Sequence, residues 1–321
     1  MHSGNRWVAL IKRLATALLL LLAACASPPS ASPAHWQSPL YLEHPLVGSI
    51  WDSASDRFID APTLASALAR ASYVLLGEKH DNPDHHRLQL QLLDGLLSDR
   101  RVATLAFEML DSSAQTRLDL LKSERLATLE ELKAHLEWDE AGWDWDFYGP
   151  LVQAGYEARV RLVAANIDSD TMRAVYGAEL APEIASVLDA EVSARLHQDV
   201  DESHCGLLPA SQFPAMVRVQ QSRDNAMARA LGGASAEGVN VLVAGNYHVR
   251  RDLGIPNYLL RQQSGLDSGA IVSVALIEVQ PEITDPAAYL EQFNGTRAYD
   301  FIWFTPAVSD EDYCASLRSE E

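Results

Sequence analysis

The chain has 321 residues, with 25 Lys and Arg against 44 Asp and Glu, a formal net charge of −19, and 48% hydrophobic positions. Such acidity excludes a nucleic-acid binder held by a general basic surface, and the apolar content excludes an intrinsically disordered chain. With 21% charged residues the bulk reads as an ordinary globular protein, large enough for one α/β domain or two small ones.

The N-terminal end stands apart. Arg6, Lys12 and Arg13 form a positive start, and Leu14 to Ala24 is an uncharged run holding Leu18 to Leu22, closed by Cys25. This is the pattern of an export signal. Its 11 apolar residues are short of the about 20 that a membrane-spanning helix needs. Leu22-Ala23-Ala24-Cys25 resembles the bacterial lipobox, which implies cleavage before Cys25 and acylation of its sulfur; the alternative is a plain secretory signal with an incidental cysteine. Residues 1–24 are therefore read as a leader, 25–39 as a lipidated cysteine and tether, and 40–321 as the folded domain. Ala26 to Pro39 is rich in Ser, Pro and Ala and reaches at most roughly 45 Å when extended. By resemblance to lipoproteins of Gram-negative bacteria, Ala26 rather than Asp after the cysteine implies the outer membrane, facing the periplasm. Cys205 and Cys314 then remain as an even pair, either bridged or present as two thiols.

Beyond the tether, short apolar runs alternate with helical patterns. Strands are predicted at Tyr73–Gly77, Val102–Phe107, Val160–Ala165, Val239–Ala244, Ala270–Ile277 and Tyr299–Phe304. Helices are predicted at Pro62–Arg70, Pro83–Ser98, Ser112–Lys122, around Tyr148–Ala158, and at Pro182–His197, Gln212–Leu231 and Pro256–Gln263. Nearly continuous apolar strands joined by helices predict an α/β fold, a mostly parallel doubly wound sheet flanked by helices. Two connections, of about 50 and about 70 residues, exceed what a crossover needs and are expected to form a helical subdomain over one edge.

In an open α/β sheet the ligand site lies beyond the carboxyl ends of the strands. Polar residues collect there: Glu78, Lys79 and His80 with His85 after the first parallel strand, Glu108 at the end of the second, Asn166 after the third, and Tyr247, His248, Arg250 and Arg251 after the fourth. Glu78 and His80, two apart in extended chain, share a face. Asn82 and Pro83 suit the cap and first position of the following helix. A carboxylate and an imidazole converging there suit acid–base work, a metal or an anionic ligand. His85 lies either in such a site or on a solvated helix flank.

Gly77-Glu78-Lys79-His80-Asp81-Asn82, Phe107-Glu108-Met109, Trp143 to Pro150, Asn166, His204-Cys205-Gly206, Gln220 with Arg223-Asp224, and Gly245 with His248-Val249-Arg250 resemble the ChaN family of haem-binding lipoproteins. The resemblance runs in order from about Leu46 to Cys314 and extends to the wider superfamily of erythromycin-esterase-like and Tiki/TraB-like proteins. It implies non-covalent haem in iron uptake, two haems stacked in a homodimer, a single tyrosine on each iron, and propionates held by His and Lys. It also leaves room for a haem uptake receptor or transporter as partner. A tyrosinate is a hard donor suited to ferric iron. Tyr148, in the aromatic stretch Trp143 to Phe147, is the first choice of axial ligand and Tyr247 the second; Lys79, His80, His85, His248 and Arg250 are the expected propionate or site-lining residues. Glu78, Glu108 and Asn166 complete the strand-end polar cluster. The alternative is a hydrolase of the related superfamily, an esterase or protease, in which Glu78, His80, Glu108 and His248 activate water directly or through a divalent metal. The aromatic insertion and the lipobox favour the carrier, without chemistry of its own.

Loss of the leader removes Arg6, Lys12 and Arg13 and takes the net charge from −19 to −22. Anionic headgroups repel such a surface, so membrane attachment is expected through Cys25 alone.

Overall fold

A computed structural model describes residues 35–99, 101–233, 235 and 238–315; the leader, Cys25 and most of the tether lie outside these. In chain order the elements are β1 (Ile50–Asp52), β2 (Arg57–Ile59), α1 (Ala61–Leu68), β3 (Tyr73–Glu78), α2 (Pro83–Ser98) and β4 (Val102–Asp111). The first long connection holds α3 (Gln115–Leu120), α4 (Leu129–Leu136) and α5 (Trp145–Glu157), and leads to β5 (Arg161–Asn166). The second holds α6 (Ser169–Gly177), α7 (Pro182–Ala185), α8 (Ala190–Ser203) and α9 (Phe213–Leu231). Then come β6 (Val239–Gly245), α10 (Ile255–Gln262), β7 (Ile271–Glu278), the small pair β8 (Gln292–Phe293) and β9 (Thr296–Arg297), and β10 (Phe301–Thr305).

The main sheet has the order β2-β1-β10-β7-β3-β6-β4-β5. From β10 to β5 all neighbours are parallel, while β1 and β2 add an antiparallel edge. That hairpin escapes prediction because its strands have three residues each, too few to show a period. The chain winds outward through β3, β4 and β5, then returns to place β6 between β3 and β4 before continuing to β7 and β10. This reversal sets the carboxyl ends of β3, β6 and β4 side by side, where a doubly wound sheet opens a crevice.

Every residue of β3 and of β6 is buried, which is why both read as unbroken apolar runs. Side chains alternate between two layers. Val74, Leu76, Leu105, Phe107, Val241 and Val243 face a core closed by α1 to α5, and Tyr73, Leu75, Ala106, Leu242 and Ala244 face one closed by α8 to α10. Each fully buried aliphatic chain contributes about 1.5–3 kcal/mol. The two long connections thus gather at the β4–β5 end of the sheet, one on each face. Their helices start on designed caps: Thr128 with Glu131 forms a capping box on α4, while Asp144, Asp168 and Asp189 cap α5, α6 and α8. Such a cap is worth about 1 kcal/mol.

Part of the expected tether belongs to the domain. Trp36 packs against the first core, and the Gln37 and Ser38 amides donate to the buried Asp84 carboxylate at 3.0 and 2.8 Å. The folded body therefore begins near residue 36 instead of 40, because Asp84, at the start of α2, needs donors once it is out of water. A disulfide joins Cys205, just after α8, to Cys314, beyond β10, with Cα atoms 5.3 Å apart.

Candidate functional site

At the strand ends the expected polar residues do converge. The Glu78 carboxylate accepts from Tyr148 Oη at 3.1 Å and lies 2.5 Å from His80 Nδ1. Glu108 accepts from the Gly245 amide at 2.8 Å and lies 3.2 Å from His248 Nε2; His248 Nδ1 lies 2.5 Å from Asp224, which comes from α9. Asn166 Nδ2 donates to the Glu108 carbonyl at 3.1 Å. The site needs Gly245, since a Cβ there would sit 3.0 Å from His80 Cε1. Likewise a Cβ at Gly77 would sit 2.5 Å from Asn246 Oδ1.

Charge is distributed to match. Burial alone would neutralise His248, but Glu108 and Asp224 outweigh it and raise its pKa to about 10. Burial likewise opposes the Glu108 anion, and His248 with the Gly245 amide brings that carboxyl down to about 2. For His80, burial is outweighed by Glu78, which raises the imidazole above its ordinary value. These groups hold one another, with Glu78 Oε2 left buried and unpartnered. Among the described residues no three His, Cys, Asp or Glu side chains are arranged to hold a metal ion.

Several of the expected ligand residues are engaged by other groups of the protein. Tyr148 is 1% exposed, ringed by Trp138, Trp143 and His86, and its phenol is occupied by Glu78. Burial, then the Glu78 charge, pushes its pKa well above the ordinary phenol value, as befits a core tyrosine. His85 is fully buried, with Nδ1 accepting from the Lys79 amide and Nε2 at 2.8 Å from Thr305 Oγ1; burial holds it neutral. It does not lie on a solvated flank. Arg250 is 4% exposed and spent on Asp252 and Glu291, and Arg251 pairs with Asp300. Lys79 pairs with Asp81 and Glu278. None of Lys79, His80, His85, His248 or Arg250 lines the large cavity described next.

That cavity, of about 870 Å³, lies among α6, α8 and α9 on the second face. Its walls are mostly apolar, from Met172, Leu196, Val200, Met216 and Val217, with Arg173, Arg223, Tyr176, Tyr247 and His204 set among them. Tyr247 Oη donates to Asp199 at 2.6 Å, and burial followed by Asp199 raises its pKa well above the usual value. Tyr176 is 43% exposed and its hydroxyl meets only the neutral Gln212 amide oxygen, at 3.3 Å. Arg223 Nε is buried without a partner. Gln220 lines the cavity and lies 3.0 Å from His248 Nδ1, bordering the strand-end network. Sequence reading quoted Arg223 only as part of the family resemblance and did not single out Tyr176 or Arg173, because α6 carries no strand-end signal and its pairing with α9 is tertiary.

Apolar walls, two tyrosine oxygens and an unsatisfied guanidinium fit an amphipathic macrocycle with acidic side groups, and the volume is that of a small-molecule site. No curated protein sequence matches the chain. The erythromycin esterase EreC is similar only at 12% identity and TM-score 0.40, over 68% of this chain and 72% of that one. A toxin effector domain of Vibrio vulnificus is similar at 14% identity and TM-score 0.41, over 71% and 37%. Neither likeness bears on function. The ChaN protein of Campylobacter jejuni, whose structure describes cofacial haem binding, is similar at 25% identity and TM-score 0.64, over 79% of this chain and 95% of that one. The sequence profile described as haem-binding uptake, Tiki superfamily, ChaN, matches residues 64–259. The chain is a member of the ChaN haem-binding uptake family, and its cofactor is haem.

Proposed function

We propose that this haem binder is a lipid-anchored uptake protein of the cell envelope, seating the macrocycle in the cavity among α6, α8 and α9. The observation that carries the seat is that cavity, with Arg223 Nε unpartnered in its wall and tyrosine oxygens beside it. Tyr176 would supply the oxygen that holds the iron in this reading, and Tyr247 is the alternative. A tyrosinate beside Asp199 would suffer like-charge repulsion, whereas Tyr176 meets only an amide. Arg223 would receive a propionate, with Arg173, which pairs with Asp170, at the same wall. Haem supplies a ferric centre that takes one oxygen ligand; the protein binds, orients and shields it. The exposed Tyr176 in this wall fits a homodimer closing over the open face of the haem. Anchoring through Cys25 on the periplasmic side of the outer membrane, and hand-over to a haem receptor or transporter, complete the proposal.

Hemin titration into the full chain tests it. A ferric high-spin, tyrosinate-type Soret spectrum lost in Tyr176→Phe and kept in Tyr148→Phe supports the assignment, and dimerisation on haem addition, read by sedimentation, supports the paired arrangement. Loss in Tyr247→Phe with binding intact in Tyr176→Phe moves the ligand to Tyr247. Absence of any Soret shift at micromolar hemin would sink the reading of this cavity as a haem seat.

A further inference from the structure

A second cavity, of about 300 Å³, lies on the other face of the sheet, between α3 and the turn from α5 into β5. Leu118, Leu121 and Leu162, each nearly buried, make its floor with the Tyr156 ring. The Tyr156 hydroxyl is turned elsewhere, accepting from the Leu126 amide and donating to the Glu124 carbonyl, so the floor offers hydrocarbon. Lys122, Arg159 and Arg161 stand at the lining. On a chain with 44 acidic residues against 25 basic, such a cluster is expected to be neutralised by neighbours. It is not: among the described residues Lys122 has one ion pair, with Asp119 at 3.9 Å, and Arg159 and Arg161 have no ion-pair or hydrogen-bond partner for their guanidinium groups. Arg159 also holds φ at 57°, in the left-handed region where a helix end favours glycine.

We infer that this pocket binds a small amphipathic monoanion, an alkyl carboxylate of fatty-acid type, with its tail on the leucine floor and its head on Arg159 and Arg161. Guanidinium is the side chain suited to a carboxylate head, since it presents paired donors. The volume lies at the lower limit for ligand sites and is about a third of the other cavity, so a macrocycle is excluded on size. The inference stands independently of the haem reading.

Isothermal titration of the protein with decanoate, with decanol and hemin as comparison ligands, tests it. Saturable 1:1 binding of decanoate is expected, with little binding of decanol. The double variant Arg159→Gln/Arg161→Gln should weaken decanoate at least about tenfold, the size of one lost charge-assisted hydrogen bond, while hemin binding stays unchanged. Equal binding of decanol and decanoate, undiminished decanoate binding in the double variant, or displacement of decanoate by hemin would each overturn the assignment, the last by placing the anion in the large cavity.

Discussion

Glu108 and His248, at the ends of β4 and β6, meet each other, the Gly245 amide and Asp224, and neither side chain is more than 8% exposed. Barely a residue away, past Gln220, the wall of the large cavity is mostly apolar and carries Arg223 with an unpartnered Nε, with Asp199 on Tyr247 as its carboxylate. Both regions hold ionisable groups near a crevice, so both would score as sites by residue type. The contrast teaches that convergence is not availability. A buried group whose partners are present stabilises the scaffold, while one lacking a partner can take one from a ligand; Glu78 Oε2 is such an atom in the first region and Arg223 Nε in the second.

Breaking the closed network is expected to give the largest effect. Glu108→Gln leaves the His248 cation facing Asp224 alone and should cost about 3–5 kcal/mol, read as a fall in denaturation midpoint. The same pair sets a pH window. Because the folded Glu108 pKa is about 2 against a model-peptide value of 4.5, its contribution is complete above about pH 4.5 and fades as the pH falls toward 2. Because the folded His248 pKa is about 10 against 6.5, its contribution is complete below about pH 6.5 and fades as the pH rises toward 10. Wild-type stability should therefore be greatest between roughly pH 5 and 6.5, and a flat profile in chemical denaturation from pH 3 to 9 would contradict this.

Next in size is the disulfide that ties the end of α8 to the segment after β10. Cys205→Ser with Cys314→Ser, or reduction, opens a closure spanning 109 residues and should cost about 2–5 kcal/mol. Since Ser203 and His204 line the large cavity just before Cys205, hemin affinity should fall as well; stability loss with unchanged affinity would separate the bridge from the cavity. Arg223→Gln acts only on the open region, with hemin affinity expected to fall about tenfold and the denaturation midpoint nearly unmoved. A midpoint loss comparable to that of Glu108→Gln would erase the distinction between the regions. Smallest of all, Lys79→Ala should change stability by at most about 1 kcal/mol, its side chain being 43% exposed, and leave hemin binding intact.

Sequence alone was enough for the six parallel strands and most helices, because doubly covered strands are apolar throughout and helix starts carry chemical caps. Asn82 and Pro83 take the cap and first position of α2, as their types require. It was also enough to bring Glu78, His80, Glu108, Asn166 and His248 to one end of the sheet, since that follows from strand direction. What it could not decide was the state of each group. Tyr148 lies in an aromatic stretch that reads equally as a ligand wall or as core, and only the packing of α5 on α2, with Glu78 at hydrogen-bond distance, makes it core. Arg250 is basic in any reading, yet Asp252 and Glu291, 2 and 41 positions away, spend its charge. Tyr176 and Arg223 are 47 positions apart and share a cavity only because α6 packs on α9. Residue type and period are local properties of the chain; burial and the presence of a partner depend on contacts between distant segments, and these the tertiary structure alone determines.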